Sequence, residues 1–287
     1  MLFPPNFDSK QAIELGNLVI YAYRQLEFFT NPDAYIAKYG KPWKLPTAYK
    51  LISTITYNRW QMGFDEEAGS TLIDDEIATA EQEKNVSFGI VDDVESLFKD
   101  YPMGFVATSK DGKSAYLIFR GTVTKQEFVK DAKIILNPYL FTNWGNVAVG
   151  FLEVYNACRE SFMQVLKGLD TSMDFYISGH SLGAALSVLS LPDVAKATSF
   201  KSPTLYNFGC PRVGDNGFVT AYNALPGATT FRVVNSSDIV PGVPPPAPIY
   251  YSHVDTPVEF NSQNNDVSLN HSMDTYVKAL GGKPVTV

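Results

Sequence analysis

The chain has 287 residues, 45% of them apolar and 18% charged, enough for one large core that buries roughly 75% of the surface its unfolded form exposes. That composition excludes a disordered chain and a disulfide-stapled miniature, and the lack of a Gly-X-Y period or heptad run excludes the fibrous classes. Twenty-three Lys and Arg against thirty Asp and Glu give a net charge of −7 with no basic run, so no nucleic-acid partner is expected.

The first residues, Met1-Leu2-Phe3-Pro4-Pro5-Asn6-Phe7-Asp8, carry neither a basic stretch nor an apolar segment of signal-peptide length. No run of about 18 apolar residues occurs, so no spanning helix is expected and the chain reads as soluble, cytoplasmic or secreted with a leader removed. Ile13, Leu15, Leu18, Val19, Ala22 and Leu26 recur at helical spacing and predict an amphipathic helix over 10–29, stopped by Asn31-Pro32. From 31 to 101, turn residues surround one predicted strand, 49–56, and the acidic stretches 65–67 and 74–76 read as solvated faces. Two β-rich runs, 104–109 and 114–120, flank Asp111-Gly112, a strong hairpin signal. The second is apolar from Ala115 to Phe119, as a central strand should be.

After the turn at Gly121-Thr122, the capping box Thr124 to Glu127 opens a predicted helix with Phe128, Val129, Ala132, Ile135 and Leu136 on one face. Further on, the pattern predicts a helix over 151–166, a strand over 174–178, and a helix over 182–191 stopped by Pro192. Strands over 204–208, 229–234 and 249–253 and a closing helix over 272–280 complete it. This alternation implies one α/β domain with a mostly parallel central sheet and helices on both faces. Residues 1–103 read as an N-terminal helix, strand and irregular segment, and 104–280 as the core. Cys158 and Cys210 lack C-x-x-C spacing and read as buried free thiols.

The chemistry sits between the strand over 174–178 and the helix from Leu182. Gly179-His180-Ser181-Leu182-Gly183 is a G-x-S-x-G pattern in strand-turn-helix context, as a nucleophile elbow requires. A serine hydroxyl becomes a nucleophile once a base takes its proton, and the chain has three histidines: His180, His253 and His271. His180 flanks the serine on a sharp turn and is read as packing or supporting the elbow. His253 lies in or just after a β-rich run, whereas His271 follows the loop 261–270, where a side chain can reach over the sheet, so His271 is favoured. Among the carboxylates between Ser181 and His271, Asp238 is placed best, just past the strand over 229–234; Asp215 is the runner-up. Asp193 falls at the far end of the helix after Ser181. The backbone N–H of Leu182 and the turn at Thr122, through its N–H and hydroxyl, are candidate donors for an oxyanion.

Taken together, Phe119-Arg120-Gly121-Thr122, Gly179-His180-Ser181-Leu182-Gly183, Phe208-Gly209-Cys210-Pro211-Arg212-Val213-Gly214, Ser237-Asp238-Ile239-Val240-Pro241 and Asn270-His271 resemble, in order, the motifs of the class 3 lipases, the fungal-lipase-like branch of the α/β hydrolases. The resemblance covers about 104–280 and implies a single-domain α/β-hydrolase fold. It implies Ser181 as nucleophile, Asp238 and His271 as its partners, and Thr122 with Leu182 as the oxyanion hole. It also implies a short helical lid after Thr122, with Val123, Phe128 and Val129 facing the site when closed. Two positions depart from the fungal pattern: Phe128 stands where relatives often carry Trp, and Ala148 where they often carry His.

The expected activity is hydrolysis of carboxylic esters, foremost acylglycerols, through an acyl-enzyme at a lipid interface. A phospholipid or galactolipid acyl hydrolase, or a short-chain or feruloyl esterase, are the enzymatic alternatives, and a non-catalytic binding protein on the same scaffold is the distant one. No metal motif or Gly-rich phosphate loop is present, so no metal or cofactor is expected.

Overall fold

The computed structural model describes residues 3–57, 100–122, 135–247 and 250–285. The acidic stretches 65–67 and 74–76 and the lid residues Val123, Phe128 and Val129 lie outside the described residues. Of the helix expected after Thr122, the last two stripe residues are seen otherwise: Ile135 is exposed, and Leu136 opens a short strand.

The chain enters as α1 (Ser9–Thr30), capped by Asp8, whose carboxylate accepts from the Lys10 and Gln11 amides. Asn31-Pro32 ends this helix as expected but also starts the next. Asn31 caps α2 (Pro32–Tyr39) through its side chain, and Pro32 takes the first-turn position where its missing N–H costs nothing. The main sheet then builds from β1 (Tyr49–Tyr57), β2 (Tyr101–Ser109) and β3 (Ser114–Phe119), which pair antiparallel. The predicted hairpin is the β2–β3 connection.

Beyond β3 the strands of the main sheet run parallel. The short β4 (Leu136–Pro138) and β5 (Asn146–Ala148) lead into α3 (Val149–Lys167), which crosses to β6 (Asp174–His180), paired with β3. Next come α4 (Leu182–Ala197), β7 (Thr204–Phe208), β8 (Gly214–Asp215), α5 (Asn216–Asn223) and β9 (Thr229–Asn235). Of the strand expected over 249–253, Ile249 lies outside the described residues, and the described part holds the two-residue β10 (Tyr251–Ser252), which pairs with β8 in a small second sheet ordered β10-β8-β5-β4. Last are β11 (Pro257–Phe260), α6 (Val267–Asn270) and α7 (Met273–Ala279). The seven-stranded order is β1-β2-β3-β6-β7-β9-β11.

Side-chain alternation fixes what lies on each face of this sheet. On β3, Ala115, Leu117 and Phe119 join the core under α3 and α4, while Tyr116 and Ile118 join the core under α1 and α7. A central strand buried on both faces is therefore apolar throughout, and the helices divide between the two faces.

One predicted boundary is corrected: α4 continues through Pro192 to Ala197. Proline removes one helical hydrogen bond and crowds the preceding turn. Here every residue from Leu182 to Val194 is buried, so packing outweighs propensity, and the Tyr139 hydroxyl donates to the Leu189 carbonyl at 2.6 Å. No helix among the described residues is long and apolar enough to cross a membrane.

Candidate active site

Ser181 occupies the turn between β6 and α4 with φ 58° and ψ −124°. A non-glycine residue pays for such a backbone, and the surroundings must hold it there. Part of the hold is the Ser181 amide, which donates to the Phe208 carbonyl at the end of β7 at 3.1 Å. The flanking glycines let three pieces of backbone meet. A Cβ on Gly179 would lie 2.1 Å from the Gly183 carbonyl oxygen, and one on Gly183 would lie 2.3 Å from that of Arg120. The G-x-S-x-G spacing is thus the packing condition for a strand, a turn and a helix start at one point.

Asp238 and His271 meet on loops at the carboxyl ends of the parallel strands. The imidazole donates from Nδ1 to Asp238 Oδ2 at 2.6 Å, and both residues are buried. Asp238 is otherwise well bonded: Oδ1 accepts from the Val240 amide at 2.9 Å and Oδ2 from the Tyr276 hydroxyl at 2.6 Å. A carboxylate with this many donors is fixed in place, and by accepting from Nδ1 it favours the imidazole tautomer with a lone pair on Nε2. Among the described residues, that Nε2 is buried without a hydrogen-bond partner.

Two asparagines stitch the loops together. Asn235 Nδ2, at the end of β9, donates to the carbonyls of Asn270 (2.9 Å) and Ser262 (3.0 Å), and Asn270 Nδ2 returns a bond to the Ser237 carbonyl at 3.1 Å. The segment before the histidine and the segment before the aspartate therefore hold each other in register.

The other candidates are occupied elsewhere. Asp215 caps α5 and accepts from the amides of Phe218 (2.8 Å) and Asn146 (3.1 Å); these bonds outweigh burial and hold its carboxyl below the ordinary range. Asp193 is buried in α4 with Arg159 and Tyr155. His253 bonds through Nε2 to the Pro241 carbonyl at 2.8 Å, and burial, reinforced by Arg232, pushes its pKa down to about 3. His180 turns away from the front of the elbow, with Nδ1 2.7 Å from the Tyr23 hydroxyl and Nε2 2.7 Å from the His271 carbonyl.

The loop after β3 passes directly beside the serine. A Cβ on Gly121 would sit 2.8 Å from Ser181 Cβ, and the next residue, Thr122, is buried. The fully buried Arg120 pins this loop, donating to the carbonyls of Pro102 and Gly121, each at 2.7 Å. Helix α4 starts without a side-chain cap, so first-turn amides, that of Leu182 among them, remain for an incoming anion. Burial pushes the thiols of Cys158 and Cys210 up to about 12, consistent with inert packing. Among the described residues, no group of three or more His, Cys, Asp or Glu side chains is placed to hold a metal ion.

Sequence reasoning missed Tyr276, Tyr23 and Arg120. Tyr276 follows His271 by five positions inside the expected closing helix, but nothing in its spacing distinguishes it from core aromatic residues. Arg120 stands in a quoted motif, and its role emerges only from the carbonyls it meets.

Residues 116–247 match the family model for Lipase (class 3). Phospholipase A1-Igamma2, chloroplastic, of Arabidopsis thaliana is 30% identical over 243 residues, 63% of this chain and 46% of that protein. A lipase of Rhizopus niveus is 32% identical over 148 residues, 50% of this chain and 38% of that one. The chain spans about half the length of the first of these relatives. In fold, it is similar to the crystal structure of a lipase from Rhizopus microsporus var. chinensis, with a TM-score of 0.59 over 90% of this chain and 77% of that one at 23% identity. Residues 116–247, which include most of β3, the serine elbow and Asp238, are thus similar to the class 3 lipases, on a fold similar to that of the Rhizopus microsporus lipase.

Proposed function

We propose that the chain hydrolyses carboxylic esters of acylglycerols through an acyl-enzyme on Ser181. The observation that carries this reading is the buried Asp238–His271 pair, whose free Nε2 lies on the ring next to the one flanking the elbow serine: the His180 and His271 ring centroids are 4.4 Å apart. Ser181 Oγ attacks the ester carbonyl as His271 Nε2 takes its proton, and the Leu182 amide with Thr122 stabilises the oxyanion. His271 passes that proton to the leaving alkoxide; water, deprotonated by the same nitrogen, then releases the fatty acid. Asp238 keeps the imidazole oriented and stabilises its charged form throughout.

A lipid surface suits the rim of this site. Ile239 follows the aspartate, Val267 and Leu269 precede the histidine, and all three apolar side chains are about half exposed. A second reading, hydrolysis of phospholipids, is favoured by the likeness to the Arabidopsis phospholipase A1. We take the chain to work as a single α/β-hydrolase domain.

The test is turnover of p-nitrophenyl esters from C2 to C16, then of emulsified triacylglycerol and phosphatidylcholine vesicles, by the protein and its Ser181→Ala variant. Loss of the nucleophile is expected to lower turnover by about 10⁶. A long-chain optimum with triacylglycerol preferred supports the first reading, and preference for phosphatidylcholine supports the second. Equal residual activity in both proteins would overturn the mechanism.

A further inference from the structure

His180 and Tyr23 are not needed for the steps above, yet they occupy the ground between every part of the site. Tyr23 projects from α1, on the face of the sheet opposite α3 and α4, and its hydroxyl reaches His180 Nδ1 at 2.7 Å. On the other side of the ring, His180 Nε2 is 2.7 Å from the carbonyl oxygen of His271. A carbonyl only accepts, so Nε2 carries the proton; in the neutral ring Nδ1 is then the acceptor, and the tyrosine is the donor. The two imidazole rings lie against each other, tilted, with centroids 4.4 Å apart and planes inclined by 35°.

The same hydroxyl also abuts the loop after β3. A Cβ on Gly121 would meet Tyr23 Oη at 2.5 Å, the His180 carbonyl oxygen at 2.7 Å and Ser181 Cβ at 2.8 Å. One side chain from α1 therefore touches the loop that precedes Thr122 and, through His180, the backbone of His271.

We propose that Tyr23 and His180 are positioning residues: the chain Tyr23 O–H to His180 to the His271 carbonyl fixes the base in reach of Ser181. This rests on the ester-hydrolase reading of the site. Asp238 holds the His271 ring at Nδ1 but leaves it free to swing about that bond; the hydrogen bond to its carbonyl and the adjacent, tilted His180 ring remove that freedom. Small errors in placement cost rate steeply, so a group that touches no substrate still governs turnover.

The experiment compares Tyr23→Phe, which keeps the ring packed on His180, with His180→Gln, whose amide retains a donor toward the His271 carbonyl, and with the double variant. Three quantities are read: kcat and KM on a soluble C4 ester, the thermal midpoint, and the low-field proton NMR resonance of the His271 N–H held by Asp238. Tyr23→Phe is expected to lower kcat about tenfold, the equivalent of one hydrogen bond, at unchanged KM. It should also broaden or shift the low-field resonance. In the His180→Gln background the tyrosine change should have no further effect, because the route through the ring is already altered.

Wild-type kcat and an unmoved resonance in Tyr23→Phe, with only a lower thermal midpoint, would overturn the proposal and leave Tyr23 as a strut. A full tenfold loss in the His180→Gln background would also overturn it, since Tyr23 would then act by another route. If the wild type hydrolyses no ester, the hydrolase reading falls, and the resonance alone decides whether the tyrosine orders His271.

Discussion

Tyr276 donates its hydroxyl to Asp238 Oδ2 at 2.6 Å, the same oxygen that accepts from His271 Nδ1 at 2.6 Å. Burial, and next the negative charge of Asp238, raise the Tyr276 pKa well above the ordinary phenol value, so the hydroxyl keeps its proton and remains a donor. Tyr276→Phe removes one of the donors to a buried carboxylate. It is expected to destabilise the fold by about 1.5–3 kcal/mol, the worth of a hydrogen bond to a charged group. Urea unfolding followed by tryptophan fluorescence measures this, and an unchanged midpoint would show that the bond contributes nothing.

Gly209 has φ 58°, and a Cβ there would lie 2.9 Å from His271 Cε1 and 3.0 Å from Asp238 Oδ2. Gly209→Ala therefore wedges a methyl group against the acid–base pair while also straining the backbone. We expect kcat on a soluble ester to fall by about 10² or more, as for a misplaced reacting group. KM should change far less. A steady-state comparison of the two proteins checks the split, and a variant with wild-type kcat would mean that the pair has slack the distances do not show.

The strand and helix order, the central position of β3 and the elbow were legible because each depends on local pattern. Alternation, apolar runs and the two glycines around Ser181 are written in consecutive residues. The pairing of Asp238 with His271 was legible through chain order and position after strands. What stayed hidden is what depends on distant chain: Tyr23 lies 157 positions from His180, and no spacing rule connects them. The continuation of α4 through Pro192 was equally unreadable, since local propensity argues against it and only the burial of every residue from Leu182 to Val194 reverses the outcome. The short β10 differs for a related reason: among the described residues, Tyr251 and Ser252 pair only with the two-residue β8.

His253 is held neutral in the folded chain, its pKa lowered to about 3 by burial and the neighbouring Arg232, against an unfolded value of about 6.5. Between those values the unfolded chain binds a proton that the folded chain refuses. Its contribution to stability is thus complete above pH 6.5 and declines as pH falls toward 3, with a slope approaching about 1.4 kcal/mol per pH unit. His253→Gln, which retains a donor for the Pro241 carbonyl, should lose that part of the acid dependence. Chemical denaturation at pH 7, 6, 5 and 4 compares the slopes; identical slopes would rule out His253 as the source.

Arg159 of α3 pairs with Asp193 toward the end of α4, remote from Ser181. Asp193 is buried, bonded by Arg159 Nη2 to Oδ1 at 2.9 Å and by the Tyr155 hydroxyl to Oδ2 at 2.7 Å. Removing the arginine leaves a desolvated carboxylate with a single neutral donor, a situation that costs about 3–5 kcal/mol. Removing the charge as well, in Arg159→Met with Asp193→Asn, takes away the ion that made the loss costly, so the double variant should regain part of that stability. Both proteins should keep wild-type kcat per folded molecule, because neither residue contacts the serine, the base or the acid. Denaturation midpoints read together with active-site titration test the two halves. A double variant no more stable than Arg159→Met would mean that the guanidinium acts through packing rather than by neutralising Asp193.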